Sequence, residues 1–375
     1  MSRLDVDETR PSREGGVVTR MWRWCAVGTV IAAMAVSATL FAQTPPPAAG
    51  ATRALSEEET REAGLVLDLI DAVAGGQTAP NDFSMSWAGE TVMKAQGNRQ
   101  YVPFTVTLDS AAIGTGPVTL YWRVSSKTPP AAAPATPPAA GAPAAAPAPA
   151  PAHAYEDLQI TTLPAQTGRM RISRSFLVPG GNYDVHVVAK HASPATPDPA
   201  AAAPKVSYIV QPVEVPDFWN NEFATSSVIL AERLEPLATQ LTPQQMRERP
   251  YVLGTIEIIP AVSPRYAKSG ELTWFFFVYN ARADSGNKPN VVVEYNFHTK
   301  DSSGAEKFFN KMAPQELNAQ TLPKEFNLAA GHQLQTGQAL PLSSFPEGDY
   351  RLEIKITDRL ADKSVIRNVN FTIGG

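Results

Sequence analysis

The chain has 375 residues, room for two ordinary domains with tails, and a formal net charge of −4. That balance supplies no basic face for nucleic acid. The only cysteine is Cys25, so everything beyond it lacks thiol catalysis and cysteine-ligated metal, and much of the 34-residue proline content sits in a few clusters that divide folded from unfolded stretches.

Residues 1–20 are polar and aperiodic and read as an extension outside the native start. Met21-Trp22-Arg23-Trp24 is a short cationic opening, Cys25 to Ala38 is apolar, and small residues close the run at Ala38 and again at Ala42. This is the layout of a secretory signal peptide over 21–42, cleaved after Ala38 or Ala42. An uncleaved signal anchor is the minority alternative, because the run is near the minimum of about 17 residues for a span. With cleavage the mature chain has no membrane span and is periplasmic or extracellular.

A Pro/Ala tether follows over 43–55. Ser56 with Glu59 three residues on has the form of a capping box. Val66, Leu69, Ile70 and Val73 recur at helical spacing and Gly75-Gly76 supplies a stop, which predicts one amphipathic helix within 56–76.

From Phe83 the period changes to two. Val102, Phe104, Val106 and Leu108 alternate, as do Leu120 and Trp122 in 118–124, and strands are predicted again over 170–176, 183–190 and 206–215. Pro/Ala-rich segments at 128–153 and 193–204 lack the large apolar groups needed to offset ordering entropy and read as linker insertions. A first β-sandwich over 83–215 follows, and Pro216-Asp217-Phe218 marks its boundary.

Further strands are predicted at 226–234, 251–259, 272–280, 291–299, 306–311, 350–357 and 365–373, with turns at Asp284-Ser285-Gly286-Asn287 and Asp301-Ser302-Ser303-Gly304. That is a second sandwich over 218–373. Two copies of one motif link the halves: Pro179-Gly180-Gly181-Asn182-Tyr183 and Pro346-Glu347-Gly348-Asp349-Tyr350 each feed an alternating strand. They suggest a tandem duplication, with convergence on a common turn as the alternative. The expected fold class is all-β: two tandem antiparallel immunoglobulin-like β-sandwiches with one short N-terminal helix and disordered Pro/Ala-rich segments.

Gly181/Tyr183 and Gly348/Tyr350 resemble the tyrosine corner of immunoglobulin-like and fibronectin-III-like sandwiches. The second half is also similar to the sandwich region of bacterial exported proteins carrying a GWxTD domain. Ser227-Val228-Ile229-Leu230-Ala231, Phe277-Val278-Tyr279-Asn280 and Gly348-Asp349-Tyr350-Arg351-Leu352 carry that likeness, while the Gly-Trp-x-Thr-Asp string itself is absent. The resemblance implies a fold and an exported setting, not an activity.

Chemistry is sparse. No nucleophile elbow, zinc helix or phosphate-cradling glycine loop occurs. His186 and His191 fall on opposite faces of a strand, and the other histidines are scattered. Asp284, Asn287 and Asn290 are explained by turn chemistry without calcium. No catalytic residue, metal ligand or cofactor is predicted.

Trp274-Phe275-Phe276-Phe277-Val278-Tyr279 is apolar on both faces. Aligning Asp109 with Asn280 makes Phe275, Phe277 and Tyr279 the core face and leaves Trp274, Phe276 and Val278 outward, as a candidate interface. That stripe meets either another part of the chain or an outside partner, protein or glycan. The sequence therefore reads as an exported, non-catalytic binding or scaffolding protein of undetermined oligomeric state. A carbohydrate-binding module is the first alternative and an enzyme with an unseen site the second.

Overall fold

The computed structural model describes residues 55–114, 116–128, 153–163, 168–192 and 203–374. The extension, the signal peptide, the tether up to residue 54 and nearly all of both Pro/Ala insertions lie outside the described residues.

The first element is set by its cap. The Ser56 hydroxyl accepts from the Glu59 amide at 3.1 Å and the Glu59 carboxylate accepts from the Ser56 amide at 2.9 Å. Two amides that a helix start would leave unpaired are thereby satisfied, and α1 runs Glu57–Ala74. Gly76 at φ +98° turns the chain out of it.

The first sandwich is built from β1 (Met85–Glu90), β2 (Met93–Lys94), β3 (Gln100–Asp109), the helical turn α2 (Ser110–Ile113), β4 (Gly116–Ser126), β5 (Tyr155–Leu163), β6 (Arg169–Val178), β7 (Gly181–His191) and β8 (Val206–Val215). β3 is flanked by β1 and β2 on one edge and β6 on the other, forming sheet I. Sheet II has the order β5-β4-β7-β8. Alternation sends Val102, Phe104, Val106 and Leu108 of β3 and Leu120, Trp122 and Val124 of β4 into one buried cluster between the sheets.

The second sandwich comprises β9 (Ala224–Thr225), β10 (Ile229–Pro236), α3 (Pro243–Glu248), β11 (Val252–Leu253), β12 (Ile256–Pro260), β13 (Arg265–Tyr266), β14 (Glu271–Tyr279), β15 (Val291–Lys300), β16 (Glu306–Lys311), β17 (Gln315–Leu317), β18 (Leu334–Pro341), β19 (Gly348–Asp358) and β20 (Lys363–Ile373). Sheet III is β11-β12-β10-β14-β18, with β9 also on β14. Sheet IV is β13-β20-β19-β15-β16, with β17 also on β15. Its core gathers Val291, Val293, Tyr295 and Phe297 of β15 with Leu352, Ile354 and Ile356 of β19.

The fold is all-β, two immunoglobulin-like sandwiches in tandem, and strand order matches between them. β3, β4, β6, β7 and β8 occupy the places of β14, β15, β18, β19 and β20. Two details differ from expectation. The two-residue pairing of β13 with β20 is parallel, and α2 and α3 add short helical turns to the single helix predicted. Asp109 explains α2: its carboxylate accepts from the Ala111 and Ala112 amides. A Thr242/Gln245 capping box with Pro243 in the first turn explains α3.

Candidate functional site

β14 is central to sheet III, so both its faces are covered. Trp274, Phe276 and Val278 point into the second sandwich's own core, with Trp274 1% and Phe276 0% exposed. The Trp274 ring meets Tyr295 edge-on at 5.4 Å. The other face, Phe275, Phe277 and Tyr279, joins the apolar cluster of the first sandwich together with Ile229, Ala231, Tyr251 and Ile258. This corrects the expected register by one residue, and the stripe Trp274, Phe276, Val278 is not an outward interface. The cause is the alignment anchor. Asp109 caps a helical turn, whereas Asn280 takes a left-handed backbone at φ 57°, so the two residues do not correspond. A one-residue slip exchanges every side chain between faces.

The junction that β14 helps to build is tight. The Lys94 amide donates to Tyr279 Oη at 3.0 Å, and Lys94 Nζ donates to Asn280 Oδ1 at 3.0 Å. The Asn280 amide group in turn donates to the carbonyls of Phe218 and Glu222 in the connecting segment. Val92 and Ser227 exchange two further bonds. Tyr101 Oη donates to the Pro250 carbonyl and Tyr251 Oη to the Pro103 carbonyl. Sheets I and III thus meet outer face to outer face. Burial of Tyr251 there pushes its phenol up to about 12.

Tyr183 and Tyr350 are alike. Each buried hydroxyl donates to a proline carbonyl four residues upstream, Pro179 at 3.0 Å and Pro346 at 2.7 Å. Both phenols are raised by burial.

The outer faces of sheets II and IV differ. On sheet II, α1 lays Val66 and Ile70 against Tyr121, Leu158 and Val188. Glu62, wholly buried, pairs with Lys190 at 2.7 Å and accepts from Thr119 Oγ1 at 3.1 Å. Tyr121, Val188 and Tyr208 form one row across the sheet. Val188 stands five residues after its corner tyrosine, and Lys355 stands five after Tyr350. The matching row on sheet IV is Glu294, Lys355 and Ile366. The apolar platform is replaced by charge, and no described element lies on it.

Sheet IV's outer face supplies its own partners. Arg351 donates to Glu306 at 2.7 Å and to Glu353 at 3.0 Å, and these bonds hold both carboxyls below the usual range. Lys300 donates to Asn370, and Lys355 lies 3.6 Å from Glu294. Two large apolar side chains stand exposed on this sheet, Phe308 at 55% and Ile366 at 50%. Nothing in the sequence pattern singled out this face; comparing the residues five after each corner tyrosine would have found it.

A cleft of about 180 Å³ lies where the sandwiches meet, lined by Thr105, Ser173, Arg171, Glu248, Arg249 and Glu257 among others. Three of its charged residues are paired within the chain, Arg171 with Glu232 and Arg249 with Glu257. Among the described residues no group of three or more His, Cys, Asp or Glu is placed to hold a metal ion. Asp284 Oδ1 is taken by the Gly286 and Lys288 amides of its own turn. No helix among the described residues is long and apolar enough to cross a membrane.

No protein-family model matches the chain, and no curated protein matches it. Among solved structures, the chain is similar to trypsin-activated alpha-2-macroglobulin from Escherichia coli at 9% identity and a TM-score of 0.23, over 80% of this chain and 17% of that one. The native conformation of the Escherichia coli alpha-2-macroglobulin gives 11% identity and 0.21, over 80% and 16%. Red sea bream transglutaminase gives 9% identity and 0.18, over 86% and 34%. The chain therefore spans about a third or less of the length of these proteins, and a likeness of this size fixes neither activity nor ligand.

Proposed function

We propose that the protein is an exported, non-catalytic scaffolding protein that meets a protein partner through the outer face of sheet IV. One observation carries the reading. Of the four outer sheet faces, three are covered from within the described residues, by α1 on sheet II and by sheets I and III on each other, while no described element covers sheet IV. An open face bearing Phe308 and Ile366 among paired charges has the make-up of an interface with apolar anchors and a polar surround. The locked junction holds that face in a constant orientation to the first sandwich. The Cys25 to Ala38 apolar run and the small residues after it support export.

Kinship of the second sandwich with the GWxTD-domain proteins belongs to the same proposal, resting on the three strings quoted above. Tandem duplication belongs to it too. What supports duplication is the shared strand order and the same tyrosine-to-proline bond in each half.

The test is site-specific photocrosslinking in intact cells, with the photoreactive residue at Phe308 or Ile366 and a control at Leu234, exposed on sheet III. The reading expects one discrete protein adduct from the two sheet IV positions, lost when the other of Phe308 and Ile366 is changed to Ser, and none from the control. A folded, exported chain that gives no adduct from either position overturns it.

A further inference from the structure

The seat of α1 on sheet II borders a row of titratable groups that serves no purpose described so far. Tyr208 links the two. Its ring packs against the apolar cluster that holds Val66 and Ile70, and its hydroxyl shares a 2.6 Å hydrogen bond with His186 Nδ1, the rings lying 6.1 Å apart. Beside His186 across the sheet stands Arg123, only 8% exposed. Arg123 Nε donates to Tyr121 Oη, which donates to Glu156. Tyr121 is itself part of the helix seat. His153 lies in the same neighbourhood, 3.5 Å from the Ser125 hydroxyl.

We propose that α1 is an acid-released strap: protonation of His186 and His153 beside the buried Arg123 loosens the helix from sheet II and uncovers the apolar seat of Tyr121, Leu158 and Val188. The groups facing the imidazoles come from every neighbouring element. β4 brings Tyr121 and Arg123, the latter 3.5 Å from Glu156 of β5; Lys127 just past β4 pairs with Asp184 of β7 at 3.0 Å; β8 brings Tyr208, and α1 brings Asp71.

Both imidazoles lie below their usual range, and burial is the leading cause in each. Arg123 pushes both in the same direction. Asp184 opposes the shift at His186, as Glu156 and Asp71 do at His153. A histidine lowered in the docked state favours the neutral form there. Its contribution to docking is complete above about pH 6.5 and is lost as pH falls below that toward the lowered value. The Glu62–Lys190 pair, 2.7 Å apart, ties the first half of α1 to β7, so the helix keeps its register there while its far end opens.

The experiment is hydrogen exchange on the full chain at pH 7.5 and 5.5, corrected for intrinsic amide rates. The amides of Val66 and Ile70 are read against those of Leu352 and Ile354 in β19. The proposal expects exchange in α1 to rise about tenfold at the lower pH while β19 stays protected, and the rise to vanish in His153→Gln/His186→Gln. A flat α1 response, a parallel rise in β19 that signals global acid unfolding, or an undiminished rise in the double variant each overturns it. Should the double variant fail to fold, NMR titration of the wild-type imidazoles decides. Midpoints that coincide with α1 opening support the strap, and midpoints outside that range sink it.

Discussion

Phe276 and Phe277 are sequence neighbours in β14 that work in different places, and truncating each to alanine separates the two jobs. Both are nearly inaccessible, 0% and 2% exposed. A phenylalanine buries about 150–250 Å², worth about 4–6 kcal/mol at about 25 cal/mol per Å². Alanine retains part of that, and the surroundings relax only partly, so each change should cost about 3–5 kcal/mol. The costs should show differently. Phe276→Ala opens a cavity among Trp274, Tyr295 and Leu334 inside the second sandwich, so that sandwich unfolds earlier. Phe277→Ala thins the contact between sheets I and III, so the sandwiches uncouple and a second transition appears. Guanidinium unfolding followed by tryptophan fluorescence reads both halves, because Trp122 reports on the first core and Trp274 on the second. A Phe277→Ala protein that keeps one transition and loses less than about 1 kcal/mol would refute the face-to-face junction.

Other expectations follow from single contacts. Tyr183→Phe and Tyr350→Phe each strand a proline carbonyl and should cost about 1–2 kcal/mol by thermal or chemical denaturation; no loss at either site removes the corner as a stabilising device. Gly337→Ala places a Cβ 2.6 Å from the Trp274 carbonyl oxygen, so β14 and β18 must part, at a cost of about 1–3 kcal/mol; an unchanged melting curve would show that the strands can give. Glu62→Ala leaves the Lys190 ammonium buried beside Thr119 and should lower stability by about 3–5 kcal/mol, with Glu62→Ala/Lys190→Met recovering much of it in a double-mutant cycle. N-terminal sequencing of exported protein should begin after Ala38 or Ala42, and a mature chain that retains Trp22 would defeat the signal-peptide reading.

Much of the fold was legible because its signals are local. The Ser56/Glu59 box and the 3.6-residue spacing mark the place of α1, and strict alternation marks β19, where Tyr350, Leu352, Ile354 and Ile356 are all buried. Strands that carry no such signal were missed. β18 reads Leu-Gln-Thr-Gly-Gln-Ala-Leu-Pro; its Gly337 is there because β14 runs too close for a side chain, and that is a tertiary cause. β5 is an edge strand of mixed character, held by pairing with β4 alone among the described strands. Glu62 was invisible as a core residue because its partner, Lys190, lies 128 positions away. The aromatic strand shows the limit most sharply. Period two identifies two faces and is silent about which is inside, and only an anchor with the same local role in both halves could decide it. The corner tyrosines are such an anchor; Asp109 and Asn280 are not.

That anchor also explains how one architecture came to have four outer faces of different fates. A sheet face left to solvent must satisfy its side chains alone, and one covered by a neighbour must offer apolar area in return. Sheet II offers Tyr121, Val188 and Tyr208 and is covered by α1. Sheet III offers Phe275, Phe277 and Tyr279 and is covered by sheet I. Sheet IV offers Glu294, Lys355, Arg351 and Glu353, already bonded to one another or to Glu306, and so has no need of cover for stability. A partner binding there would gain little by breaking those pairs, since exposed ion pairs are worth about 0–1 kcal/mol. Its affinity would have to come from the two apolar side chains that the pairs do not shield, Phe308 and Ile366. Phe308→Ser or Ile366→Ser should therefore weaken any sheet IV complex far more than neutralising a charge does, and should leave the melting temperature almost unchanged, because neither side chain supports the core beneath it.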